Sequence, residues 1–483
     1  MSRGKWVAVL AAILVLACLL RWVGLARYGF DEDEVFSLGV ASNDWLGLLR
    51  DTARDVSHPP LFYALLKVWL LLGPPTVFWT RLLPAILGVG ALLPLAGSCS
   101  ALRIGRAETA LVLVLAGINA LMIDYAHYVR MFSLLQFTAS LSLYVFVLIA
   151  KDPVTRVRIA AAIVVNLLLV YSHYWGWMVF LSEFLAMLYV DRSKIRVFAL
   201  IMICVAIGFA PWAAAVIDVV LHRGNGMRQI SWMGSSIAGV DDYTWLFGKL
   251  NGSFDFPHST ILGILLYGIP IVALLLYSLS RREPSVERLR SPLTWIIVIA
   301  SPMLLTSAAS YFLHQNMWGE RHMSITAIPY YLLLALSLSR SPLPKIATGA
   351  IAAMIGLWAI GAGAASLADL HQRIDWPKIA DAVAADRKDP VLIYASEGYV
   401  ARPLQFQMGQ ILGIEPKISL TTNLARISSD RFWYVYRNRT WPLAEQPAVI
   451  LSRALFVIDR EVSSSDKWQT VKALLVHKQQ DAH

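Results

Sequence analysis

Long, uninterrupted runs of apolar residues dominate the chain and alternate with short polar segments. Runs of about 18 or more apolar residues can cross the hydrocarbon core of a membrane as helices. Because the runs are continuous rather than alternating, they predict helices and not the strands of a membrane barrel. We predict about eleven spans, near residues 6–26, 76–102, 107–124, 130–150, 158–174, 175–190, 196–219, 259–280, 292–313, 322–340 and 344–368.

One further apolar stretch, 59–73, is short and opens with Pro59-Pro60, which suits the start of a helix. The basic clusters between the spans indicate whether it crosses the membrane. If it does not cross, every cluster falls on the cytoplasmic side, as the positive-inside rule requires. We therefore predict that this stretch forms an interfacial helix on the outer face.

The composition agrees with a membrane protein. The 483-residue chain is 57% hydrophobic and only 15% charged, a composition too apolar for the surface of a soluble domain. The net charge of +10 lies in short clusters between apolar runs, so it indicates membrane topology rather than binding to nucleic acid. Cys18, Cys99 and Cys204 lie inside apolar runs without metal-type spacing, and we expect neither a disulfide nor a thiolate metal site.

The predicted topology places three sizeable segments outside the cytoplasm: about 27–78, about 222–258 and the tail after about 369. The tail contains a helix-like stretch at 376–386 and strand-like stretches at 391–394 and 432–436. We therefore predict an all-α polytopic membrane domain over residues 1–368. A small extracytoplasmic α/β domain follows over 369–483.

Four adjacent carboxylates, Asp31-Glu32-Asp33-Glu34, directly follow the first span. Close carboxylates repel one another, by roughly 0.5–1 kcal/mol or more per pair, so the sequence fits either a solvated acidic turn or a functional site. A carboxylate in a cleft at the membrane interface can act as a general base on a hydroxyl or amine. Asp31 and Asp33 are also candidate ligands of a divalent cation, Mg²⁺ or Mn²⁺, because hard cations prefer carboxylate oxygens.

Further motifs follow the acidic residues in a defined order. They are His58-Pro59-Pro60-Leu61-Phe62-Tyr63, Ala126-His127-Tyr128-Val129-Arg130-Met131-Phe132 and Arg321-His322. Together with Asp33-Glu34 the set resembles the bacterial branch of the protein O-mannosyltransferase and lipid A aminoarabinose transferase family, membrane glycosyltransferases of the GT-C fold. The resemblance covers about residues 6–340. Tyr128 stands where the family has a glutamate, and His322 where it has a tyrosine.

The resemblance implies an inverting glycosyltransferase in the bacterial inner membrane with its active site on the periplasmic side. It would move a sugar from a polyprenyl-phosphate donor to a lipid, glycan or protein acceptor, with the first outer loop, 27–78, as the catalytic loop. Asp33 would be the general base and Glu34 its neighbour. Positive charge stabilises a leaving phosphate, so the expected phosphate-binding residues are His58, Arg81, Arg130 and Arg321. Further expected substrate contacts are Tyr63, Asp124, Tyr128, His173 and His322.

Two alternatives stay open at the level of sequence. Arg81 and Arg321 lie at the ends of spans, where arginines also extend to lipid headgroups without a catalytic role. A lipid or glycan flippase would explain the many spans without any glycosyl transfer. Transporters usually place ionisable residues near mid-membrane in repeated halves, whereas the charged motifs here lie at the outer interface, which favours the enzyme.

Overall fold

The computed structural model describes residues 2–222, 239–252, 259–281, 285–314, 317–369, 373–385, 392–413, 416–424, 427–438, 446–453, 456–466 and 469–479. The chain divides into two compact units. The first comprises Met1–Val23, Val40–Pro74 and Trp79–Leu367, and the second comprises Gly24–Gly39, Pro75–Phe78 and Ala368–His483. The second unit therefore combines the tail with the acidic residues near the N-terminus.

Helices make up the described part of the first unit. They are α1 Arg3–Trp22, α2 Glu32–Ser42 (which begins in the second unit), α3 Trp45–Asp55, α4 Leu61–Leu70, α5 Val77–Gly90, α6 Leu92–Ala101, α7 Arg106–Ile118, α8 Ala120–Ala126, α9 Phe132–Lys151, α10 Arg156–Ser172, α11 Gly176–Val190, α12 Ile195–His222, α13 Val240–Leu250, α14 Ser259–Leu279, α15 Pro292–Leu313, α16 Glu320–Met323, α17 Ala327–Ser339 and α18 Lys345–Asp369. Three short 3₁₀ turns accompany them at Arg192–Lys194, Ser285–Arg290 and Ser324–Thr326.

Within the described ranges, eight helical segments are long and apolar enough to cross a membrane, and the bent pair α7–α8 would make a ninth. The chain is therefore a multi-pass membrane protein, as predicted. The expected spans 158–174 and 175–190 correspond to α10 and α11. Helix α10 has 17 residues, at the lower limit for a crossing, and α11 has 15, which is below that limit. The stretch 59–73 forms α4, which has 10 residues; its interfacial position stays a prediction.

The bend of 53° between α7 and α8 is held by Asn119. The Asn119 side chain accepts a hydrogen bond from the backbone N–H of Met122 at 3.2 Å and caps α8. Its Nδ2 donates to the carbonyl oxygen of Lys249 at 2.9 Å. The Asn119 side chain thus satisfies one backbone N–H freed by the break and one carbonyl oxygen at the end of α13, as a membrane helix requires. The bend leads the chain into the turn that carries Arg130.

A buried carboxyl group connects three helices of the same unit. Ser142 Oγ in α9 lies 2.8 Å from Glu183 Oε1 in α11 and 3.0 Å from Asn166 Oδ1 in α10. All three side chains are at most 2% exposed. One hydroxyl proton can serve only one of these acceptors, so the network is complete when the carboxyl group of Glu183 supplies the second proton. Interhelical hydrogen bonds of this kind hold membrane helices together.

The second unit contains the predicted α/β fold. Its strands are β1 Leu392–Ala395, β2 Ile418–Leu420, β3 Arg431–Arg437, β4 Phe456–Ser465 and β5 Thr470–Lys478, and its helices are α19 Trp376–Ala385, α20 Gly398–Leu412 and α21 Pro447–Arg453. The sheet order is β2-β1-β3-β5-β4. Strand β1 is parallel to β2 and β3, whereas β5 is antiparallel to β3 and β4.

Strand β3 is buried on both faces of this sheet. Trp433 and Val435 belong to one core with Ile379 and Leu404, while Tyr434 belongs to a second core on the other face. Alternate residues of a strand point to opposite faces, so both sets must be apolar. This explains the continuous aromatic run that predicted the strand. The sequence analysis did not predict strands β2, β4 and β5.

We expect Glu183→Leu to lower the free energy of unfolding by about 1–2 kcal/mol, because it removes the carboxyl group that connects three helices. Glu183→Gln, which keeps a donor and an acceptor, should stay close to the wild type. Thermal unfolding of the purified variants in detergent measures both effects. Equal melting temperatures for Glu183→Leu and the wild type would contradict a stabilising role for the network.

Candidate functional site

Arg130 lies in the turn between α8 and α9 and is only 6% exposed. Its Nη1 donates to the hydroxyl oxygen of Tyr63 at 3.3 Å, and its Nη2 lies 3.4 Å from His58 Nδ1. His58 Nδ1 in turn lies 3.6 Å from Asp55 Oδ2. The double proline after His58 begins α4, which places His58 and Tyr63 beside the arginine. Three of the predicted site residues are thus brought together by direct contacts.

Phe132, the first residue of α9, connects this group with the next one. Its ring centroid lies 6.2 Å from that of His173 and 6.5 Å from that of His322. The guanidinium carbon of Arg321 lies 5.9 Å from the same ring, within the distance of a cation–π contact. Tyr128 stacks parallel to Phe132 with centroids 6.4 Å apart. Phe132 was part of a predicted motif but was not chosen as a site residue.

Histidine and tryptophan rings form a continuous row from His58. His58 and His173 are 5.2 Å apart, His173 and His322 are 5.2 Å apart, and Trp175 stacks on His322 at 4.3 Å. His173 and Trp175 lie in the turn between α10 and α11. The sequence analysis missed Trp175, although its position beside the Tyr171-Ser172-His173 segment was a usable signal.

The imidazole of His173 is neutral at physiological pH. Burial, and then the positive charges of His58, Arg321 and Arg130, hold the pKa of His173 well below its usual value. The backbone N–H of Trp175 donates to His173 Nδ1 at 3.1 Å, so the ring proton resides on Nε2. Within the described residues, His173 Nε2, His322 Nδ1 and Trp175 Nε1 have no hydrogen-bond partner. Such buried polar atoms cost about 1–3 kcal/mol each, and water or a bound ligand can satisfy them.

Glu320 fixes the short helix α16 that carries Arg321 and His322. Lys249 Nζ lies 2.7 Å from Glu320 Oε2, and Trp245 Nε1 donates to the same oxygen at 3.1 Å. The Tyr125 hydroxyl donates to Glu320 Oε1 at 3.5 Å. Because these contacts come from α8 and α13, they determine where α16 and its two site residues lie.

Two further predicted residues lie at other points of the first unit. Arg81 is buried in α5 with 2% exposure, and Asp124 is half-buried in α8, beside Tyr125. Their roles toward a substrate stay predictions.

In the second unit, the four carboxylates form the start of α2 rather than a solvated turn. The backbone N–H of Glu34 donates to Asp31 Oδ1, and the backbone N–H of Asp31 donates to Glu34 Oε2, each at 3.2 Å. This reciprocal pattern is a capping box, which satisfies two backbone donors at a helix start. Glu32 pairs with Arg402 at 2.5 Å. Asp33 lies in the first helical turn, half-buried, and Glu34 is fully buried.

Asp31 has a capping role in the structure, and its role with Asp33 as a ligand of a divalent cation stays a prediction. Burial, together with the charges of Glu34 and Asp33, raises the pKa of Asp31 to about 8. One of its oxygens also caps α2. In the described part of the chain, no group of three or more His, Cys, Asp or Glu side chains could hold a metal.

The fold is similar to that of solved membrane glycosyltransferases. ArnT from Cupriavidus metallidurans bound to undecaprenyl phosphate matches with a TM-score of 0.59 and 13% identity, over 98% of each chain. The apo state of that protein matches with a TM-score of 0.59 and 15% identity, again over 98% of each chain. Arabinofuranosyltransferase AftD from Mycobacteria matches with a TM-score of 0.51 and 15% identity, over 100% of this chain and 42% of that chain.

These likenesses confirm the predicted GT-C fold class. The structure of the chain itself shows the predicted small C-terminal sheet. No protein-family model matches the sequence, and no curated protein matches it significantly.

We expect Asp31→Asn to gain stability over the wild type as the pH rises. The pKa of Asp31 is raised to about 8 from an unfolded value near 4, so ionisation weakens the folded state progressively from about pH 4 to about pH 8. Asparagine retains the capping oxygen without the charge. Thermal unfolding over this range should show similar stabilities near pH 4 and a growing advantage for the variant above it. Parallel pH profiles would contradict the raised pKa.

Proposed function

We propose that the protein transfers a sugar from a polyprenyl-phosphate donor to a periplasmic acceptor, at the outer face of the bacterial inner membrane. The observation that carries this proposal is the buried Arg130 with its contacts to Tyr63 and His58, in a chain with the fold of membrane glycosyltransferases. The structural neighbour ArnT was solved with undecaprenyl phosphate, the class of lipid carrier that we propose here.

The donor phosphate is the part of the substrate that Arg130 suits best. Arginine presents a rigid fork of donors that matches phosphate oxygens and keeps its charge when buried. Arg321, placed against Phe132, supplies a second guanidinium group to the same row of residues. Neutral His173 adds a donor without adding charge. Together these groups would stabilise the negative charge that develops on the departing polyprenyl phosphate.

The transfer requires one bond to break and one to form. The acceptor oxygen or nitrogen attacks the anomeric carbon, and the bond from that carbon to the phosphate oxygen breaks, with inversion of configuration. Polyprenyl phosphate leaves as an anion and needs no proton from the protein. We assign Asp33, in the first turn of α2, as the general base that takes the acceptor's proton. The match of Asp33-Glu34 to the acidic pair of the glycosyltransferase family supports this choice.

The first experiment is turnover of the purified protein with a panel of polyprenyl-phosphate sugars and candidate acceptors. We expect Asp33→Asn to lose about 10²–10⁴-fold in kcat, the usual contribution of a general base. Asp459→Asn, which removes the same charge from an exposed position in β4, is the control and should keep wild-type turnover. Release of free polyprenyl phosphate identifies the donor sugar. Lipid translocation in vesicles without release from any donor would instead indicate a flippase.

A second prediction separates donor binding from catalysis. Arg130→Ala should weaken binding of polyprenyl phosphate by roughly 10- to 100-fold, because a hydrogen bond to a charged group is worth about 1.5–3 kcal/mol. Arg54→Ala removes an exposed arginine that pairs with Asp51 on α3 and should bind normally. Titration of both variants with the lipid measures the difference. Wild-type affinity in Arg130→Ala would remove this residue from the donor site.

A further inference from the structure

The acidic segment, defined here as residues 29–34, contacts α20 in a fixed antiparallel order within the second unit. At Gly29, a Cβ atom would lie 3.0 Å from both Gln407 Oε1 and Pro377 Cδ. The next residue, Phe30, packs edge-on against Phe406 with ring centroids 5.6 Å apart. Glu32 then pairs with Arg402 at 2.5 Å. Positions rise along the acidic segment while they fall along α20.

The residues of α20 that make these contacts lie on one side of the helix. Arg402 and Phe406 are four positions apart, and Tyr399 is three positions before Arg402, a spacing that aligns side chains along one helical face. The charges of Asp31 and Asp33 both act on Tyr399 and, after burial, contribute to raising its pKa to about 12. The same face therefore meets the acidic segment from its first residue to its proposed base.

We propose that α20 is a cradle that positions the first turn of α2, and that Arg402 is a positioning residue for Asp33. The inference rests on the proposed function, since it assigns α20 of the second unit a role in that reaction. Arg402 need not touch the substrate: it holds Glu32, the residue immediately before Asp33.

The charges of the acidic segment explain why a second helix must hold the start of α2 in place. Four carboxylates in consecutive positions repel one another, and a helix start is prone to fray because its first N–H groups lack intrahelical partners. Arg402 of α20 supplies a positive charge that pairs with Glu32, and the positive charge of Arg373 also acts on Asp31. The apolar contact between Phe30 and Phe406 fixes the approach of the chain to α2. A catalytic base must be held to within a fraction of an ångström to be effective.

The test compares Arg402→Ala and Arg402→Lys with the wild type in the full-length protein. We expect Arg402→Ala to lower kcat by about 10–100-fold, the cost of a misplaced catalytic group, with the KM for the donor and the melting temperature unchanged. An exposed ion pair contributes little to global stability. A lower kcat at an unchanged melting temperature would therefore reflect a displaced Asp33 and not a less stable protein. Arg402→Lys keeps the charge and should recover most of the activity. Arg460→Ala, at an exposed position of β4, is the matched control.

Hydrogen exchange supplies a readout that does not depend on turnover. In Arg402→Ala, the backbone amides of residues 32–36 should exchange faster, while those of β3 should not change. Unchanged exchange, or unchanged kcat despite faster exchange, overturns the proposal. So does a fall in kcat that merely parallels a fall in melting temperature. A wild-type protein that turns over no donor would refute the proposed function, while the exchange data would still report whether α20 holds the acidic segment.

Discussion

A polar group in hydrocarbon costs several kcal/mol unless the protein itself satisfies it. The described part of the first unit is organised by that constraint. Asn119 can break a span because its side chain caps one helix and contacts the end of another. Glu183 can lie between three helices because Ser142 meets its carboxyl group. Arg130 follows the same rule at the site, where Tyr63 and His58 contact its guanidinium.

The sequence predicted much of the architecture because hydrophobic runs are set by the thickness of the bilayer. Each predicted span coincides with a helix or a bent helix pair, and the strands at 392–395 and 431–437 were expected from apolar runs. Strand β2 and the antiparallel pair β4–β5 were not predicted. Strand β2 has only 3 residues, and β4 carries charged and serine residues through most of its length. A strand at a sheet edge is held mainly by backbone hydrogen bonds, which any residue except proline can form, so its sequence shows little apolar pattern.

The site was predicted in part. The motifs contain Arg130, His58 and His322, whose roles toward a substrate stay predictions. Phe132, although it stands in one of these motifs, and Trp175 were not chosen as site residues, yet their rings bring these groups together. Ring contacts depend on tertiary packing and follow no sequence period. For the acidic residues the sequence identified the segment but not the separate contacts of each carboxylate. Adjacent carboxylates suggested either one site or a solvated turn, whereas the structure divides them between helix capping by Asp31 and Glu34 and an ion pair formed by Glu32.

The ion pair between Glu32 and Arg402 joins residues 370 positions apart, which has a consequence for biosynthesis. The acidic segment leaves the ribosome early, but α20 follows only after the last span. At about 5–20 residues per second, the interval is roughly 20–70 s. During that time the nascent chain carries its carboxylates without the helix that holds them. The second unit can therefore assemble only once the membrane domain has been synthesised, so a truncated or incompletely inserted chain lacks an assembled acidic segment.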